Sequence, residues 1–216
     1  MQYIYLHGFA SSPQSYKAQY LRDRFWEEEI DLQIPDLNQG DFAHLTLSRQ
    51  IEQTKSLFLP QERPVTIIGS SFGGLTAAWL GEKYPQVQRL ILLAPAFGFL
   101  NHWLSKLSKR EIQSWQESGY SSIYHYGEKR SLALHYQFIV DCDRYDESQL
   151  QKSLPTFIFH GCHDEVIPIQ ASRDYANQRP WVKLVELESD HSLGEPMPEI
   201  WQQMQQFLFA RRYEVN

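Results

Sequence analysis

The amino-acid sequence predicts an α/β chain, in which a mostly parallel sheet of about six strands is flanked by helices. Three observations predict it. Apolar or β-branched runs alternate with stretches of helical spacing along most of the 216 residues, the pattern of consecutive βα units. Two of the runs, Val65–Ile68 and Arg89–Ala94, are apolar almost throughout, as strands covered on both faces are. Directly after the first of them, Gly69-x-Ser71-x-Gly73 joins strand to helix with a serine at the apex, a spacing that demands a sharp turn.

Taken in order, Tyr3–Leu6 is a first strand, running into the loop His7-Gly8-Phe9-Ala10-Ser11-Ser12-Pro13. Ser15–Trp26 has helical spacing, with Tyr16, Tyr20, Leu21 and Phe25 in phase, and Glu27–Glu29 reads as its solvated end. Asp31–Pro35 is a short strand. Leu45–Leu59 is a helix with Leu47, Ile51, Thr54 and Phe58 on one face, stopped by Pro60. Val65–Ile68 and a helix over Leu75–Tyr84, ended by Pro85, form the central unit. After Arg89–Ala94 and Pro95 the alternation breaks, and it resumes with the strand Pro155–His160, the helix Ile169–Asn177, the strand Val182–Leu187 and a closing helix Pro198–Ala210.

The interruption, residues 96–153, is crowded with aromatic residues. Helical pieces are expected at Leu100–Leu107, Lys109–Gln116 and Arg130–Arg144. An aromatic insertion between two core strands reads as a cap over the site of a single domain spanning residues 1–216. Phe97, Phe99, Trp103 and Tyr136 are the rings expected to line a substrate pocket. The alternative is that these rings pack into a small core of their own.

Composition narrows the function classes. The net charge of −6 argues against a nucleic-acid footprint or an anionic membrane surface as partner. Cys142 and Cys162 are the only cysteines, so no disulfide framework is implied and a reduced, cytoplasmic compartment is expected. The first residues run straight into a strand without the pattern of a signal peptide, and no apolar run reaches membrane-spanning length. The sequence leaves the oligomeric state open.

The chemistry is concentrated in three loops that follow strands. A serine hydroxyl needs a base within hydrogen-bond reach, and the base needs an orienting carboxylate. Ser71 lies in the turn after one strand, Asp164 in Gly161-x-x-Asp164-x-x-Ile167-Pro168 after another, and His191 in the polar loop after the last. The order Ser…Asp…His is that of α/β-hydrolases rather than of chymotrypsin-like or subtilisin-like chains. Asp141, Asp143 and Asp190 are rival acids. The oxyanion donors expected are the backbone N–H groups of Phe9, after the first strand, and Phe72, after the nucleophile. His7 reads as an orienter of its loop rather than a direct catalyst. His160-x-x-His163 has metal-ligand character but no third ligand at typical spacing, so no metal and no cofactor are expected. Ser70 misses the glycine register, and no base falls at an obvious position for Cys162.

With these residues in place, the chain resembles a small member of the α/β-hydrolase superfamily. Tyr5-Leu6-His7-Gly8-Phe9, Ser11-Ser12-Pro13 and Ser15-x-Lys17-Ala18 are similar to the compact YqiA-type esterases over essentially the whole chain. The resemblance implies a sheet that lacks the superfamily's first two strands. It also implies Phe9 and Phe72 as oxyanion donors and Ser71, Asp164 and His191 as triad. The expected function is cleavage of a small carboxylic ester, or an acyl thioester, through an acyl-enzyme. An acyl-CoA thioesterase, a small peptidase or lactone hydrolase, and a catalytically silent ligand-binding member of the fold are the alternatives.

Overall fold

The computed structural model describes residues 1–60 and 63–213, with side chains through residue 209. One six-stranded sheet organises the chain: β1 (Gln2–Leu6), β2 (Leu32–Gln33), β3 (Val65–Ser70), β4 (Val87–Leu93), β7 (Thr156–Gly161) and β8 (Val182–Leu187), in the spatial order β2-β1-β3-β4-β7-β8. Every neighbouring pair is parallel. The direction of travel reverses at β1, which hands the chain to β2 on one side before β3 pairs on the other. Such a switch point opens a crevice at the carboxyl ends of the strands.

Both faces of the sheet are buried, so period 2 sorts each strand into two cores. Ile4, Leu6, Ile67, Leu92 and Ile158 face one core, with Leu47, Ile51, Leu75 and Leu80 from the helices α2 (Leu47–Ser56) and α3 (Phe72–Lys83). Tyr5, Ile68, Ile91, Leu93 and Phe159 face the other, with Leu21, Phe25, Ile200 and Met204 from α1 (Tyr16–Glu27) and α8 (Met197–Tyr213). The helix α7 (Ile169–Asn177) joins β7 to β8.

Two helix starts differ from the sequence reading for local reasons. The central helix starts at Phe72 rather than Leu75, because the glycines after Ser71 belong to its first turn. The helix expected from Leu45 begins at Leu47, where the Thr46 side chain accepts the N–H of Arg49, an N-cap. A separate 3₁₀ turn precedes it at Phe42–His44.

Residues 96–153 contain α4 (Phe99–Ser105), α5 (Lys109–Ser118), β5 (Tyr120–His125), β6 (Arg130–His135) and α6 (Gln137–Cys142). Here one expectation is corrected. Arg130–Arg144 is not one helix: Arg130–His135 pairs antiparallel with Tyr120–His125, and only Gln137–Cys142 is helical. The i, i+4 pair Leu134 and Phe138 imitates a helical face, but Leu132 and Leu134 alternate with the exposed Ser131 and Ala133, which is the strand period. Ser108 and Glu111 form a reciprocal capping box that starts α5.

Candidate active site

The turn between β3 and α3 carries the strain that its sequence requires. Ser71 has φ 53° and ψ −119°, a conformation costly for any residue with a Cβ. Its N–H donates to Leu93 O at 2.9 Å, and its carbonyl accepts from Gly74 at 2.8 Å and Ala96 at 3.0 Å. The flanking glycines make this possible by close approach of backbones. A Cβ on Gly69 would strike the carbonyl of Gly73, and one on Gly73 would strike the carbonyls of Leu6 and His7. The crowding is therefore between α3 and the ends of β1 and β3, rather than around the serine side chain. A Cβ on Gly74 would stand 3.0 Å from Pro95 and 3.2 Å from the Gly69 carbonyl, so this glycine admits Pro95 as well as the strand.

Three side chains from three loops meet above this turn. Ser71 Oγ lies 3.1 Å from His191 Nε2, and His191 Nδ1 lies 2.7 Å from Asp164 Oδ2. With Nδ1–H donating to the carboxylate, Nε2 is left as the acceptor for the serine hydroxyl. The side chain of Asp164 is buried, and its Oδ1 accepts the N–H groups of Val166 and Ile167, both at 2.8 Å. Burial alone would raise its carboxyl. Hydrogen bonds from His160 and His191, the charge of His191 and the Ile167 N–H outweigh that and hold it well below the usual carboxylate range.

His160, which the sequence presented only as half of a weak metal pattern, is a second donor to this acid. Its Nε2 lies 3.1 Å from Asp164 Oδ2 and 3.0 Å from the Ile167 carbonyl, while Nδ1 pairs with Ser172 Oγ at 2.8 Å. The ring is fully buried. His163 faces outward to Glu188 at 2.8 Å. Nothing in one sequence distinguishes a histidine that braces a carboxylate from one that fills the core. The rival acids have other partners: Asp141 accepts the N–H and hydroxyl of Ser48 at 2.9 and 2.6 Å, and Asp190 accepts from Ser192. Asp143 is exposed.

The loop after β1 lies against the serine. A Cβ on Gly8 would sit 3.2 Å from Ser71 Cβ. His7 is fully buried; its Nδ1–H donates to Gly8 O at 3.0 Å and its Nε2 accepts Leu37 N–H at 3.0 Å. Gly8 C=O and Phe9 N–H belong to one planar peptide, so this bond also orients the Phe9 N–H. The N–H of Phe72, first in α3, has no carbonyl within its own helix to bond.

The rings of Phe9 and Phe72 are embedded in the insertion. Phe9 touches Phe42, Phe72, Phe99, Trp103 and Phe138 at centroid distances of 5.2 to 6.1 Å. Of the four rings expected to line a pocket, Phe99 and Trp103 join this cluster and are partly exposed. Phe97 is buried, stacked on Tyr175 at 4.1 Å, and Tyr136 packs edge-on against Trp115.

Among the described residues no group of three or more His, Cys, Asp or Glu is placed to hold a metal ion, and no helix is long and apolar enough to cross a membrane. The fold is shared widely. Alpha/beta hydrolase domain-containing protein 10 from mouse superposes with a TM-score of 0.74 at 20% identity, over 94% of this chain and 90% of its own. Est1E from Butyrivibrio proteoclasticus, with ferulic acid bound, gives 0.79 at 17% identity, over 96% and 87%. The monoacylglycerol lipase of Paleococcus ferrophilus gives 0.72 at 13% identity, over 94% and 93%. The family model described as "Uncharacterised protein family (UPF0227)" matches residues 2–208. The chain has the α/β-hydrolase fold and belongs to the family UPF0227.

Proposed function

We propose that this protein is a serine hydrolase of small carboxylic esters, with acyl thioesters as a second substrate class, built as one hydrolase domain with residues 96–153 as its cap. The observation that carries this reading is the strained Ser71, hydrogen-bonded to His191 at 3.1 Å, with His191 bonded to the ionised Asp164 at 2.7 Å. Ser71 Oγ attacks the acyl carbon while its proton passes to His191 Nε2. Asp164 stabilises the imidazolium that forms and holds the ring in the reactive tautomer. The N–H groups of Phe9 and Phe72 receive the oxyanion, assisted by the positive end of α3. His191 returns the proton to the leaving alcohol or thiol, and water deacylates Ser71 by the same route. Est1E, which binds ferulic acid, and the monoacylglycerol lipase share the fold and support a carboxylic-ester substrate.

The test is covalent labelling with a fluorophosphonate. Wild type and Ser70→Ala should label, and Ser71→Ala should not. Labelling that persists in Ser71→Ala overturns the nucleophile, and a wild type that neither labels nor hydrolyses p-nitrophenyl esters points to a binding member of the fold.

A further inference from the structure

Lys17 takes no part in the chemistry above, yet it is bound to the loop that carries the base. It lies in the first turn of α1, two residues past the cap position Ser15. A cation there opposes the helix dipole, so its position is not explained by its own helix. Its Nζ donates to the carbonyl of Ser192 at 2.7 Å and to that of His191 at 3.4 Å. Strand-like support of this loop ends earlier, with Cys162 N–H to Leu187 O and His163 N–H to Ser189 O. Beyond Ser189 the backbone bonds of the loop are internal, from Ser192 to the Asp190 side chain, from Leu193 to the Asp190 carbonyl and from Gly194 to Ser192 Oγ. Among the described residues, Lys17 makes the only hydrogen bonds from another element to the backbone of His191 or Ser192. Its helix also follows directly on the loop of Gly8 and Phe9, so the side chain ties the two flanks of the site together.

We propose that Lys17 is a positioning residue whose ammonium clamps the carbonyls of His191 and Ser192 and so keeps the imidazole in register with Ser71. The proposal rests on the reading of Ser71 and His191 as nucleophile and base. The charged groups that act on the ammonium are Asp164 and Asp190, on the loops after β7 and β8, whereas its contact with His191 is to the backbone carbonyl. Burial pulls the amine down from 10.5 to about 8, against the opposing pull of Asp164 and Asp190. The neutral amine keeps two N–H donors but loses its charge, so its hold on the two carbonyls weakens. The clamp therefore loosens, and turnover falls, as pH rises through about 8.

The experiment measures p-nitrophenyl butyrate hydrolysis from pH 6 to 10 in wild type, Lys17→Met and Lys17→Arg. Hydrogen exchange across residues 188–195 and melting temperature are followed in parallel. Lys17→Met should lower kcat at neutral pH by about 10- to 100-fold with KM little changed, as small misplacements of a catalytic group do, and exchange over 190–194 should quicken. Lys17→Arg, which stays charged, should keep most of kcat and carry the alkaline fall to higher pH. A wild-type kcat in Lys17→Met, or an alkaline fall at the same pH in Lys17→Arg, overturns the proposal. If Lys17→Met does not fold, the alkaline limb of Lys17→Arg decides. If wild type neither labels nor turns over ester, the hydrolase reading has failed. Exchange in Lys17→Met at pH 7 then judges the clamp alone: faster exchange supports it and equal exchange overturns it.

Discussion

The parallel sheet and the insertion at residues 96–153 are assembled by different rules. The sheet is a stack of strands apolar on both faces, and its functional groups hang from loops at the strand ends. The insertion has no continuous apolar run. It is a two-stranded hairpin and short helices held by rings, with Trp115 bonded to the Leu134 carbonyl at 2.9 Å and Trp103 against Trp115 at 5.5 Å. The two regions nevertheless meet at Phe9 and Phe72. The backbone of Phe9 belongs to the loop after β1 and that of Phe72 to the first turn of α3, while both rings belong to the aromatic cluster. The difference teaches that, under the proposed function, the core holds the chemistry while the insertion sets what reaches it, provided that trimming a ring does not also shift the N–H groups of Phe9 and Phe72.

The sharpest break is in the core. Ser71→Ala should lower kcat by about 10⁶-fold, the scale of nucleophile loss in serine proteases, with the melting temperature close to wild type or higher, since backbone strain stays and only the hydroxyl leaves. Asp164→Asn comes next, with kcat down by as much as about 10⁴-fold, because an amide cannot fix the same His191 tautomer. It also removes a carboxylate held below its ordinary range. The stability from that depression is complete above the unfolded carboxylate value and is lost as pH falls below it. Wild type should therefore lose stability toward acid more steeply than Asp164→Asn, as melting curves across the acid range would register.

Two substitutions then separate packing from selectivity. Gly69→Ala drives a methyl into the Gly73 carbonyl and should cost about 1–3 kcal/mol through overpacking, read by denaturant unfolding. In the insertion, Phe97→Ala should cost about 3 kcal/mol, since Phe97 is buried on Tyr175, and leave the chain-length preference alone. Phe99→Ala and Trp103→Ala should instead change the ratio of kcat/KM between short and long p-nitrophenyl esters, on the scale of 1–3 kcal/mol per methylene in apolar pockets, or about 10- to 200-fold. An equal fall for every ester would mean that these rings act through Phe9, and the division of labour between core and insertion would fail.

The smallest effect tests how the insertion is fastened. Glu147 accepts the N–H of Gly98 at 2.9 Å, where the chain enters α4. Burial pushes its carboxyl up to about 7, against the pull of that N–H. The folded protein thus keeps this proton where the unfolded chain, near 4.5, has lost it. The sign follows from linkage: the group favours folding at low pH and loses that contribution as pH rises from about 4.5 to 7. Glu147→Gln should remove this part of the pH dependence, as melting temperatures at pH 5 and pH 8 would register.

What the sequence determined by itself is what is local. Val65–Ile68, the glycines at 69 and 73, and the helix behind them specify one turn within about ten residues, and the structure places Ser71 there with the strained φ that the spacing demands. Apolar runs bounded by Gly and Pro identify the long core strands for the same reason. Asp164 and His191 were legible because loops after parallel strands must open at one end of the sheet. What only the tertiary structure decided depends on partners far apart in the chain. Arg130–His135 is a strand because Tyr120–His125 lies beside it, while its own spacing suits either period. His160 braces Asp164 because the chain after β7 turns back over it. Lys17 reaches a carbonyl 175 positions away, a distance across which periodicity and composition carry no information.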